Sequence, residues 1–297
     1  MVTDEIRSFE EGKRQTIAAG FAKQCTWTQW ENAEQRKLTW SSLQKMEPLR
    51  ISFLLRSTYD LLPTPTNLKQ WGMTQDDICL DCGKSRATLE HILATCSNSL
   101  QKYTWRHNQV LKVLSEATKT QCENISLINT TIDEDVRFVR EGTQPSAKKP
   151  KGVRAKLLED DSDWQALIDL EERLVFPTHI TITNLRPDII IWSDRSKIVL
   201  IVELTVPWER NMEVANERKM TKYEVLKTEC EDNGWRCCVF PIEVGCRGYI
   251  ARSTMGYLRG IGLSRKQQRE TTRALETAAE TASSWIWQTS RKPNRPR

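Results

Sequence analysis

Two sets of residues in this 297-residue chain have the type and spacing to do chemistry. The first lies in CLDCGKSRATLEHILATC, which reads Cys79-x2-Cys82-x8-His91-x4-Cys96. Two thiolates on a tight turn, then an imidazole and a thiolate one helical turn apart, can close a tetrahedron around Zn²⁺. Gly83, directly after the second cysteine, suits the turn that such a knuckle needs. The chain holds nine cysteines and three histidines, and four of these twelve gather between residues 79 and 96. Four protein ligands make a full set, so the expected zinc is structural rather than catalytic. In so small a unit the metal's binding energy is folding energy, and the module is expected to lose its order without it.

The second set lies in RPDIIIWSDRSKIVLIVELTVPWER, residues 186–210. Asp188 follows Pro187 at the head of one apolar run, and Glu203 stands at the far end of the next. If SDRSK turns a hairpin, the two runs pair antiparallel and bring both acids to the same end of a sheet. Neighbouring carboxylates repel and are costly to bury, so a cation belongs between them. Oxygen ligands with open positions suit Mg²⁺, which keeps water for chemistry. Such a metal would stabilise charge on a scissile phosphate and make hydroxide near neutral pH. A lysine is also needed to steady the water or the transition state. The second residue after Glu203 is Thr205, not Lys, but Lys219, Lys222 and Tyr223 follow at spacings that share one helical face. Plainer readings stand beside these: a solvated helix face for the lysines, a strand start for Asp188, an edge-strand gatekeeper for Glu203.

The elements that must position these residues follow from periodicity and punctuation. Residues 4–60 read as helical, with no Gly or Pro from Phe21 to Glu47. LLPTPTNLKQWG (61–72) is punctuation, and the knuckle is followed by a helix with apolar positions Tyr103, Val110, Leu111 and Leu114. EGTQPSAKKPKGVRAKLLEDDSD (141–163) has linker composition. DWQALIDLEERLVF (163–176) reads as a helix, then HITITN, DIIIW and IVLIVELTV as strands. Residues 211–234 form a long helix closed by Gly234, WRCCVFPIEV (235–244) is a strand, and 264–287 a final helix. The expected fold class is α/β, a small central sheet flanked by helices, preceded by a helical region with the knuckle. The expected divisions are 1–72 helical, 73–118 knuckle and following helix, 119–162 polar region and linker, 163–290 sheet domain, and a basic tail at 291–297.

Composition is globular, 38% hydrophobic and 28% charged, with net charge +5. That mild basicity suits a nucleic-acid partner without requiring one. The basic residues cluster in KKPKGVRAK, which includes Lys148, Lys149 and Lys151, and in the tail. No apolar run of about 18 residues spans a membrane, and MVTDEIRSFEEGKRQ is no secretory signal. An odd number of cysteines at this density points to a reducing, intracellular compartment with thiols free or on metal.

Pro-Asp, a strand pair and a following acid resemble the PD-(D/E)xK restriction-like nuclease core, in which the lysine can migrate to the next helix. The ordered set LLPTPTNLKQWG, knuckle, RHN, linker, RPD, ELTVPWE, ERKMTKY and EVGCRGY resembles, from about residue 40 to 290, the C-terminal part of non-LTR (LINE-type) retrotransposon polyproteins with such an endonuclease. The resemblance implies a restriction-endonuclease-like core at 163–290, with Asp188 and Glu203 as Mg²⁺ ligands, Lys219 as catalytic lysine, and Lys222 and Tyr223 in support. It implies a further acid from the helix before the sheet, for which Asp169 and Glu171 both stand. It places Arg106, His107 and Asn108 near nucleic acid, with an ordinary helix surface as the alternative.

The family's polymerase motif, an aromatic followed by x-Asp-Asp, is missing, since LEDDSD lacks the aromatic. A chain opening on its own Met is then expected to be a polyprotein fragment, a truncated element copy or a reused host gene. The implied activity is nicking of DNA, the implied partners are DNA or RNA and a reverse transcriptase in cis or in trans, and the implied setting is nuclear, with the basic linker and tail on phosphates. A non-catalytic nucleic-acid-binding protein and a degenerate element product are the competing readings.

Overall fold

The computed structural model describes residues 2–21, 24–36, 38–131, 157–158, 163–170 and 173–290. Lys148, Lys149, Lys151, Glu171 and the basic tail lie outside the described residues. The helices are α1 (Val2–Ala19), α2 (Trp40–Gln44), α3 (Pro48–Thr58), α4 (Pro65–Gln70), α5 (Leu100–Thr131), α6 (Met212–Asp232), α7 (Arg252–Gly260) and α8 (Arg265–Ser290). The strands are β1 (Gln165–Ile168), β2 (Ile189–Ser193), β3 (Ile198–Thr205) and β4 (Arg236–Glu243). They form one mixed α/β unit around a four-stranded sheet in the order β1-β2-β3-β4.

β-Branched side chains make β2 and β3, and the turn between them makes a hairpin in which Ser193 faces Ile198. Lys197 takes φ +53° in that turn. Asp163 holds the turn by accepting from Ser193 Oγ at 2.6 Å and from the Arg195 amide at 2.9 Å. β4 runs parallel to β3, so the chain must cross over, and α6 is that crossover. Alternate side chains of the sheet point to opposite faces. Ile190, Trp192, Val199 and Ile201 pack with Tyr223, Leu226 and Cys230 of α6. Ile189, Ile191, Leu200 and Val202 pack with Val110, Leu111 and Leu114 of α5, Tyr257 of α7 and Leu275 of α8. Both faces are covered, which is why the strands read as unbroken apolar runs.

Three expectations are corrected. DWQALIDLEERLVF holds a short strand, not a helix: Gln165 through Ile168 pair with Trp192 through Ile189. The free edge of β2 captures this segment, and Val175 at its far end is 71% exposed. HITITN forms a turn rather than a strand, since β1 already occupies that edge and Ile182 is 86% exposed. The stretch from 21 to 47 is not a long helix. Its described residues hold a 3-10 turn (Thr26–Gln29) and the short α2. Two of its backbone hydrogen bonds go to distant chain instead: Glu34 N donates to Ile250 O at 2.7 Å, and Arg252 N to Asn32 O at 3.1 Å. α6 ends before Gly234 at φ +81°, as its sequence predicts, whereas α5 continues to Thr131, past the expected end of that helix at 118.

A buried ion pair fastens this N-terminal stretch to the sheet. Glu209 and Arg247 are 2% and 1% exposed. Glu209 Oε2 accepts from Arg247 Nε at 2.6 Å, and Oε1 from the Arg247 amide at 2.7 Å. The guanidinium donates to Ser57 O at 3.0 Å and lies against the rings of Trp208 and Trp30, 3.6 and 4.1 Å from their centroids. A Cβ at Gly245 would meet Glu209 Oε1 at 2.6 Å, so only glycine admits the acid there. Trp208 and Glu209 both belong to this clamp. Removing one member leaves a buried charge uncompensated, so Arg247→Met is expected to lower unfolding free energy in urea by about 3–5 kcal/mol. Adding Glu209→Gln to Arg247→Met should recover part of that loss.

Candidate functional site

The knuckle begins on a turn stitched by Cys79 N to Ser85 O at 2.8 Å and Gly83 N to Cys79 O at 2.8 Å, with Gly83 at φ +65°. Buried Asp77 braces it by accepting from Lys69 at 2.9 Å and Arg86 at 2.6 Å. Those hydrogen bonds, to Lys69 first, hold its carboxyl below the ordinary value. Thr88 Oγ1 accepts from His91 N at 3.1 Å at the start of a π turn, His91–Thr95. That wider turn, rather than an α turn, carries the four-residue gap from His91 to Cys96.

The four candidate ligand atoms lie within 4.8 Å of one another. Cys79 Sγ is 4.0 Å from Cys96 Sγ, and Cys82 Sγ is 3.4 Å from His91 Nε2. Zinc–sulfur bonds of about 2.3 Å in a tetrahedron give sulfur–sulfur edges of about 3.8 Å, so the cage has the size of that ion. Thr95 Oγ1 lies 3.4 Å from His91 Nδ1, the outer hydrogen bond that aims Nε2 at the thiols. The Lys84 and Ser85 amides bring the Cys82 thiol down to about 6, while burial pushes Cys79 up to about 11. A dication held by the four ligands would offset that burial and favour both thiolates.

The acidic site forms at one end of the sheet. Ile189 pairs with Val202, so Asp188 comes opposite Glu203 one step further along. Ile168 pairs with Ile189, and the Asp169 amide donates to Asp188 O at 2.9 Å, so Asp169 extends the same row. Three acids from three neighbouring strands thus stand side by side. Asp169 comes from the end of β1, not from a preceding helix, and its Oδ1 accepts from Leu174 N at 3.1 Å.

α6 supplies the groups that face Glu203. Lys219 Nζ donates to Glu203 Oε1 in a short bond, and Lys222 Nζ reaches the same oxygen at 3.2 Å. Tyr223 OH donates to Glu203 Oε2 at 2.7 Å and accepts from Lys222 at 2.9 Å. Burial alone would raise the Glu203 carboxyl, but the Lys219 charge, then its hydrogen bond, Tyr223 and Lys222 outweigh it and hold the acid below its ordinary value. Burial, then Glu203, then Asp188 and Asp169 push the Tyr223 phenol well up. One hydroxyl therefore feels all three carboxylates. Among the described residues, the group whose ligand atoms gather closely enough to hold a metal is the soft Cys3His cage.

Arg106 and His107 are placed by α5, and differently from an exposed nucleic-acid contact. Arg106 is 2% exposed and donates to Leu93 O at 2.7 Å, Ser283 Oγ at 3.0 Å and Val206 O at 3.2 Å. Its donors bolt the knuckle to β3 and α8, so none is turned to solvent for a phosphate. His107 Nε2 lies 3.3 Å from Asp188 Oδ2, which makes it a neighbour of the acidic row. Nothing in the sequence spacing announced that contact across 81 positions, since only the packing of α5 beneath the sheet creates it.

Residues 21–105 match the family model described as zinc-binding in reverse transcriptase. The chain therefore carries a retrotransposon-type zinc-binding domain. The match joins the tryptophan-rich stretch before α2 to the knuckle, and Phe53 and Leu62 do pack against Cys79 and Cys96. Together with the Cys3His cage it supports a structural zinc and a retroelement origin. No curated protein matches the chain.

One zinc per chain is the expected content by metal analysis. Cys82→Ser should lose it, together with the knuckle's protection from proteolysis. The acidic site makes a pH prediction for metal-free protein. Glu203 has a lowered folded pKa, so the stability it contributes is present above the unfolded value of about 4.5 and lost as pH falls through the folded one. Glu203→Gln should be the less stable protein at pH 7 in urea, and the gap to wild type should close progressively below pH 4.5.

Proposed function

We propose that this chain is a Mg²⁺-dependent DNA endonuclease of retroelement origin, with a restriction-like core at 163–290 and the zinc-binding domain as its structural partner. The observation that carries the reading is the row Asp169, Asp188 and Glu203 under Lys219, Lys222 and Tyr223. Three acids converging on one end of a sheet, with two ammonium groups and a phenol trained on one of them, are more than packing requires.

In this reading Asp188 and Glu203, with Asp169 beside them, hold the metal, which would supply charge stabilisation at a scissile phosphate and a water of lowered pKa. Lys219 supplies a cation next to Glu203, placed to steady the attacking water or the phosphate charge. Lys222 balances the remaining negative charge, and Tyr223 fixes the Glu203 carboxylate through Oε2. Held within a packed face, these groups need no rearrangement during the reaction. DNA is the proposed substrate, with a reverse transcriptase acting in cis or in trans and a nuclear setting. The basic linker, including Lys148, Lys149 and Lys151, is the proposed phosphate contact and should make binding fall with salt.

Nicking of supercoiled plasmid tests the reading. Purified protein is expected to nick with Mg²⁺ and to stop with EDTA. Asp188→Ala and Lys219→Ala should each lose roughly 100-fold or more, with DNA binding retained. Binding without nicking in the zinc-loaded wild type would leave a nucleic-acid-binding protein instead.

A further inference from the structure

His107 reaches the acidic row from α5, which covers the face of the sheet opposite α6. Asp188 stands just before the first ladder pair of β2, so strand pairing does not fix its side chain. Two contacts hold its Oδ2: the Leu204 amide at 2.7 Å and His107 Nε2 at 3.3 Å. The His107 ring is itself fixed at both nitrogens, with Nδ1 facing Asn108 Oδ1 at 3.1 Å and Nε2 also facing Leu204 O at 3.3 Å.

The helix that presents this ring is tied to the zinc-binding domain. Tyr103 OH accepts from Cys96 N at 3.1 Å and donates to Ile92 O at 2.9 Å. Arg106 bonds Leu93 O of the knuckle and Val206 O just past β3. Consecutive residues of α5 therefore grip alternate carbonyls of one chain segment, Arg106 at Val206 and His107 at Leu204. A ring so anchored has little freedom, and the carboxylate it touches inherits that order.

We propose that His107 is a positioning residue: from the knuckle-anchored α5 it fixes the Asp188 carboxylate at the head of β2, in the orientation the acidic row needs. What the orientation serves rests on the nuclease reading, whereas the contact itself does not. A carboxylate left to rotate at a strand end would bind a divalent ion more weakly, as loss of outer hydrogen bonds does at metal sites.

The Leu204 amide reports directly on Asp188, because it donates to the same oxygen. Full-length, zinc-loaded wild type, His107→Leu, His107→Asn and His107→Gln would be compared by residue-resolved amide exchange and by Mn²⁺ titration. Leu and the short Asn cannot hold Asp188, while the longer Gln amide can donate to it. Leu204 exchange is expected to rise about tenfold in His107→Leu and His107→Asn, the loss of one charge-assisted hydrogen bond. The Val202 amide should not change, and His107→Gln should restore much of the Leu204 protection. Mn²⁺ affinity should fall about 10- to 100-fold in the first two variants and recover in the third. Unchanged Leu204 exchange in either short variant would overturn the proposal, as would an equal rise in all three, which would assign His107 to packing alone. A wild type that neither nicks nor binds Mn²⁺ would sink the nuclease reading, and Leu204 exchange would still decide the positioning role.

Discussion

Glu203 carries a charge to the end of a sheet face lined by Ile190, Trp192, Val199 and Ile201, and the rest of the site depends on how that charge is compensated. At 4% exposure its carboxylate has lost nearly all of its water. Lys219, Lys222 and Tyr223 replace that solvation with three directed contacts, and all three come from α6. The helix is also the crossover that lets β4 lie parallel to β3. Placing the cations and building the sheet are thus one structural event. The spacing 219, 222, 223 could not be shifted along α6 without aiming the lysines away from β3.

The same constraint recurs wherever distant segments meet. Arg106 joins the knuckle, β3 and α8. Arg247 joins the loop after β4 to Glu209 and to the end of α3 through Ser57 O. Glu280 of α8, fully buried, accepts from Arg36 at 2.6 Å and Arg50 at 2.7 Å. Each is a charge that is tolerable in the interior only when its partners arrive from elsewhere in the chain. Such groups add little net stability but penalise misplaced docking strongly, because a slipped segment strands a charge. The zinc-binding domain and the sheet are therefore held in one arrangement by directional contacts rather than by apolar area alone.

The metal cage was legible because its information is local. Cys79, Cys82, His91 and Cys96 lie within one short stretch, and ligand spacing on a turn nearly dictates where the side chains meet. The hairpin was legible for a similar reason: two β-branched runs around a polar turn have one compact pairing, and that pairing brings Asp188 opposite Glu203. The segment at 163–176 was misread because its apolar residues fit a helical period, whereas the open edge of β2 offered backbone hydrogen bonds that local propensity does not register. That error also hid the place of Asp169, which joins the acidic row only as the end of a strand.

The sequence by itself determined the zinc ligands, the α/β class, the strand pair that sets Asp188 opposite Glu203, and the long helix that follows it. These follow from residue type, period and short-range spacing, which act before the chain has closed on itself. Only the tertiary structure decided that Arg106 is a buried bolt, that Trp208 and Glu209 form a clamp with Arg247, and that His107 stands against Asp188. Each is a contact between elements far apart in the chain. Its identity depends on which faces pack together once both sides of the sheet are covered, and no period or motif encodes that choice.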